Sequence, residues 1–135
     1  MKILNIVLLI FLINNSTAQE FISSTDKIKP LNEEYDNISI NKLSTNTDAT
    51  TFAIWIKKKV KIHKHINHTE HVYIKQGKGK FQLADSLYNV KTGDLIIVPK
   101  NTWHGVIVES KNPMKVISIQ SPEFFGKDRV FKKPQ

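Results

Sequence analysis

Between residues 37 and 120 apolar positions recur every second residue in short runs, and no run carries them at helical spacing. That period is the mark of a strand, whose successive side chains point to opposite faces of a sheet. The runs fall at 38–40, 51–56, 60–65, 71–74, 80–83, 87–91, 95–98, 103–109 and 114–120. Turn formers divide several of them: Ala84-Asp85-Ser86, Thr92-Gly93-Asp94, Pro99-Lys100-Asn101-Thr102 and residues 110–113. β-Branched and aromatic residues dominate the runs, as a pleated surface favours. Many short strands at close spacing predict an all-β, antiparallel sandwich or barrel over 37–120.

The flanks lack this period. Residues 19–36 read as an N-terminal arm or linker. The tail, 121–135, carries Phe124, Phe125 and Phe131, and exposed aromatic side chains are unfavourable in water. The tail is therefore expected to pack on the barrel or on the second subunit of a homodimer. At the other end, Lys2 precedes an apolar run at 3–13, followed by Ser16 and Ala18 at the spacing of a processing site. This pattern predicts a signal peptide, 1–18, cleaved after Ala18, and export to a periplasm or the exterior. The run is shorter than the roughly 20 residues of a membrane span, so no membrane attachment is expected after cleavage.

The chain's 135 residues suit a single domain. It contains no cysteine, which excludes disulfides, thiolate metal sites, a cysteine nucleophile and a lipidated cysteine. The formal charge of +8 admits attraction of anions. The lysines are scattered, however, and the only arginine is Arg129, although arginine is the usual reader of bases and phosphates. Nucleic acid is not an expected partner.

Composition changes the picture most at HKHINHTEHVYIKQG, residues 63–77, which holds four of the five histidines. His63 and His65 lie two apart and project from one face of a strand. The chain turns at 66–69, and Glu70 can then lie beside them at the start of the next strand. His104, just after the Pro99 turn, opens another strand and can supply a fourth group. Three imidazoles and a carboxylate suit one divalent first-row ion, and an octahedral ion so held keeps two positions open. His71 neighbours Glu70 and should point away from it, and His68 lies in the loop. Either could support a ligand from behind.

His63-x-His65-x4-Glu70-x6-Gly77 resembles the first motif of the cupin superfamily, and Gly93-x5-Pro99-x-Asn101-x2-His104 resembles the second. The resemblance implies a small single-domain antiparallel jelly-roll barrel. It also implies one metal inside, Mn, Fe, Ni, Zn or Cu, on His63, His65, Glu70 and His104. Three positions depart from the motif: Lys57 and Asn101 stand where glycine is usual, and Val108 stands where asparagine is usual. If the alternation of β-type residues runs back unbroken from His63, Lys59 and Lys61 share its face and line the pocket; a bulge would send them to solvent. Trp103 is a candidate for the core or the pocket wall. Two functions fit: an exported module binding a small oxygenated or anionic ligand at the metal, or a mononuclear metal enzyme of dioxygenase, isomerase or lyase type acting on a small acid or phenol. No catalytic acid or base stands out.

Overall fold

The structure, a computed structural model, describes residues 24–133; the expected leader at 1–18 lies outside the described residues. Ten strands occur among the described residues, and no helix. They are β1 (Ile38–Thr45), β2 (Thr50–Ile56), β3 (Lys59–His65), β4 (Thr69–Gln76), β5 (Lys78–Leu83), β6 (Ser86–Lys91), β7 (Leu95–Val98), β8 (His104–Val108), β9 (Met114–Ser121) and β10 (Arg129–Phe131). They form two five-stranded antiparallel sheets, ordered β1-β2-β9-β4-β7 and β10-β3-β8-β5-β6.

No backbone ladder joins one sheet to the other, so the expected barrel is an unclosed jelly-roll sandwich. β1 ends the first sheet and β10 the second. Side chains fill the space between the sheets, as in other two-layer β folds. Ile74, Met114 and Val98 are almost wholly withdrawn from water, and Phe81 and Val106 pack with them in one cluster. Each such side chain contributes about 1.5–3 kcal/mol by burial.

Several strands run longer than apolar alternation alone suggests. β1 extends to Thr45 because its polar half pairs with β2, from Asn41 opposite Ala53 to Thr45 opposite Thr50. Asn41 also holds the arm: its side chain donates to the carbonyl of Lys29 at 2.7 Å and accepts from the amide of Leu31 at 3.2 Å. Lys115 Nζ donates to the carbonyls of Ile28, at 2.8 Å, and Thr25. Residues 24–36 are thus tied to the outer face of the first sheet. The far half of that face stays bare: Tyr73, Leu95, Ile97 and Ile119 are each at least 40% exposed, and Tyr73 lies opposite Leu95 in the ladder.

One irregularity governs the second sheet. Val60 pairs with Val106, yet His63 pairs with His104, so β3 spends one residue more than β8 over the same length. This bulge reverses which side chains face inward. Beyond it His63 and His65 are buried, while before it Lys59 and Lys61 are exposed and Val60 turns toward the interior. Lys59 and Lys61 line a groove on the outer surface with Leu87 and Ile107 instead of the inner cavity. Opposite the bulge stands Gly105, where a Cβ would lie 2.8 Å from the Val60 carbonyl oxygen and 2.8 Å from Ile62 Cδ1. Gly105→Ala is expected to destabilise the fold by about 1–3 kcal/mol through overpacking against backbone. Urea denaturation checks this, and an unchanged midpoint would show that β3 yields freely.

Candidate metal centre

The bulge brings three imidazoles to one end of the inner space. His63 of β3 and His104 of β8 are direct cross-strand partners, and His65 follows His63 on the same face. Glu70 comes from the facing sheet, where β4 places it beside Gln120 of β9. All four side chains are buried, and each offers a ligand atom lying within 4.8 Å of the others.

Hydrogen bonds aim these atoms. Nδ1 of His63 donates to the Lys61 carbonyl at 2.8 Å, and Nδ1 of His104 donates to the Thr102 carbonyl at 2.9 Å. That orients both rings with Nε2 toward the centre. His104 Nε2 lies 3.0 Å from Glu70 Oε2 and His65 Nε2 lies 3.7 Å from the same oxygen. His65 Nε2 is buried without any hydrogen-bond partner. The opposite carboxylate oxygen, Oε1, accepts from the Ser118 hydroxyl and, at 3.3 Å, from Gln120 Nε2.

Burial lowers the pKa of His63 to about 4, with His104 and Arg129 adding repulsion. Burial likewise lowers His65, against the pull of Glu70. Both are therefore neutral lone-pair donors at neutral pH. Burial alone would raise Glu70, but the hydrogen bond and charge of His104, the Ser118 hydroxyl and His65 outweigh it and bring it to about 2. A buried carboxylate beside three imidazole rings is an environment that a metal cation would favour. The stranded His65 Nε2 is what a metal would satisfy, so the donor set fits a divalent ion that takes nitrogen and oxygen ligands.

The remaining candidates lie elsewhere. The His68 ring does fold inward, but onto the tail: Nε2 donates to the Glu123 carbonyl at 2.7 Å and Nδ1 pairs with Asp128. Asp128 in turn faces His65 Nδ1 at 3.5 Å and accepts from the Asn67 amide at 3.0 Å. His68 thus backs His65 at one remove. His71 faces out between Ile97 and Ile119 and takes no part. Trp103 carries Lys64 Nζ 4.8 Å above its ring and is not part of the cavity wall.

The alternation pattern did not reveal Ser118, Gln120, Asp128 or Arg129. Ser118 and Gln120 share the parity of Val116 in β9, so two polar residues on an inward parity were the available signal. Nothing local marked Asp128 and Arg129. The tail docks on its own chain: β10 pairs with β3, Arg129 opposite His65 and Phe131 opposite His63. Phe124 is buried with its ring edge-on to those of His65 and His68, while Phe125 and Phe131 stay exposed.

Residues 52–120, about half of the chain, match the family described as Cupin domain. This chain is a cupin. A protein of Methanocaldococcus jannaschii is 31% identical over 70 residues, 52% of this cupin and 56% of that protein, so the match spans little more than half of the relative. KdgF from Halomonas sp. superposes with a TM-score of 0.63 at 21% identity, over 73% of this chain and 92% of that one. The Streptomyces nucleoside dehydratase Pac13 gives 0.67 at 17%, over 85% and 92%. At these identities the structural likeness is one of fold.

The titrations set an expected pH response for the metal-free protein. His63 has a folded pKa of about 4 against an ordinary 6.5, so the unfolded chain takes up the extra proton first and stability falls as pH drops from 6.5 to 4. Glu70, at about 2 against 4.5, extends the loss from 4.5 downward. Urea midpoints of chelator-treated protein should decline steadily from pH 7 to pH 4. A flat profile would contradict the buried, neutral state of His63.

Proposed function

We propose that this cupin holds one divalent transition ion on His63, His65, Glu70 and His104 and binds a small oxygenated or anionic ligand at the positions those residues leave open. The observation that carries the reading is the convergence of acceptors on one buried point, with His65 Nε2 left unpartnered there. A cavity of about 80 Å³ adjoins the point, lined by His63, Glu70, His104 and Gln120 and otherwise mostly by aliphatic residues. That volume holds several waters or a molecule of few heavy atoms. When bound, the ion would act as a Lewis acid toward a carbonyl or carboxylate oxygen. The cavity lining offers no carboxylate or imidazole beyond the ligand set itself, which favours binding over proton-transfer catalysis. The second reading, a metal-dependent enzyme on a small acid or phenol, is supported by the similarity to a nucleoside dehydratase of like size.

Elemental analysis should find about one divalent ion per chain in the protein as purified, and far less in His63→Ala and His104→Ala, each judged folded by circular dichroism. Metal retained at full stoichiometry in both variants would overturn the site. In the same samples, consumption of a bound small acid that stops in both variants would move the assignment to the enzyme.

The chain is also proposed to form a two-fold dimer through the bare half of the first sheet's outer face. Tyr73, Leu95, Ile97 and Ile119 expose apolar side chains there around His71, the kind of surface that solvent disfavours unless covered. Light scattering should give twice the chain mass, and Leu95→Glu should halve it. A monomeric wild type would remove this element.

A further inference from the structure

We infer that Arg129 reads a carboxylate on the ligand, and that the ligand is a small aliphatic monocarboxylate. This deepens the metal-dependent binding reading and rests on it. Arg129 is the chain's only arginine, and it lines the same cavity as His63, Glu70 and Gln120. Among the described residues no carboxylate lies within ion-pair distance of it, and its one close neighbour of note is the Phe124 ring, whose centroid is 5.5 Å from the guanidinium carbon.

The position is built rather than incidental. Asp128, the residue before it, is pinned to the β3–β4 loop by the Asn67 amide and the His68 ring, and its carbonyl accepts from the Ile66 amide at 3.3 Å. The backbone of Arg129 is held opposite His65 in the β10–β3 ladder. Arg129 therefore belongs to an edge strand of the second sheet and lines the cavity that adjoins the buried quartet.

The facing edge is apolar. Ile38 and Ile40 of β1 line the same cavity and are 37% and 45% exposed, with Ile54 behind them. An entrance with one cation on one lip and isoleucines on the other selects an anion attached to a short hydrocarbon. Charge agrees: a divalent ion, Glu70 and Arg129 sum to two positive charges before any ligand enters. A single planar fork with no second cation in the cavity wall suits a carboxylate better than a phosphate, which calls for more donors. The lysines near by do not alter this, because the bulge sends Lys59 and Lys61 to the outer groove.

The test uses the full chain loaded with Co²⁺, whose visible absorption reports changes around the ion, with calorimetry for affinity. The probes are butanoate and its neutral isostere butanamide. Wild type should bind the acid about tenfold tighter than the amide or better, the scale of one charged hydrogen-bonded pair. Arg129→Gln should cut the ratio several-fold, leaving only the preference that the ion itself confers, with Co²⁺ still at one per chain, and Arg129→Lys should restore part of it. Equal binding of the two probes by wild type, no binding of either, or an undiminished preference in Arg129→Gln would overturn the assignment while leaving the metal site standing. Failure of wild type to retain Co²⁺ would instead overturn the metal reading and this inference with it.

Discussion

The site depends on one extra residue in β3. With the bulge between Val60 and His63, the strand turns its lysines outward and its histidines inward, and His63 comes to lie directly across from His104. Without it, parity would place either a lysine row or a histidine row wrongly, since a one-residue slip moves every side chain to the other face. Gly105 makes the bulge sterically affordable at the point where β8 passes it. The electrostatic consequence is specific: burial lowers His63 and His65, while the hydrogen bonds and charges around Glu70, from His104, Ser118 and His65, outweigh its own burial and hold its carboxyl low.

Much of this was legible in the chain. The alternation of His63 and His65, the following Glu70 and the distant His104 carry enough spacing to bring four donors together once strands are assumed. Those donors do meet at one buried point. The all-β class was equally legible, because period-two runs broken by Gly, Pro and Asp leave few alternatives. The bulge was not. The stretch 59–63 alternates evenly between lysine or histidine and apolar side chains, Lys64 then separates the two histidines, and only pairing with β8 shows where the extra residue falls. Nor was closure: whether two edges meet is decided by pairing across the whole fold, and here β1 and β10 do not pair.

The tail was harder still. Arg129–Phe131 is three residues long, flanked by charge, and gains its strand character only from β3. Asp128 and His68 are separated by sixty positions, and no local rule relates them. The arm behaves alike, since residues 24–36 have no periodicity and are ordered by Asn41 and Lys115 reaching out from the sheet. Polar side chains that satisfy backbone groups in a passing segment leave no hydrophobic signal to read.

The region that matches the family ends at residue 120, yet the cation at the cavity entrance sits beyond it. On the proposed reading, the four metal donors and the guanidinium that selects the guest belong to different stretches of the polypeptide. A lineage could keep the first intact and rewrite the second by drift, splicing or loss of a short terminus, without repacking the interior. Divergence among such proteins is then expected to concentrate at the carboxyl end, where substitutions change appetite and leave the scaffold alone.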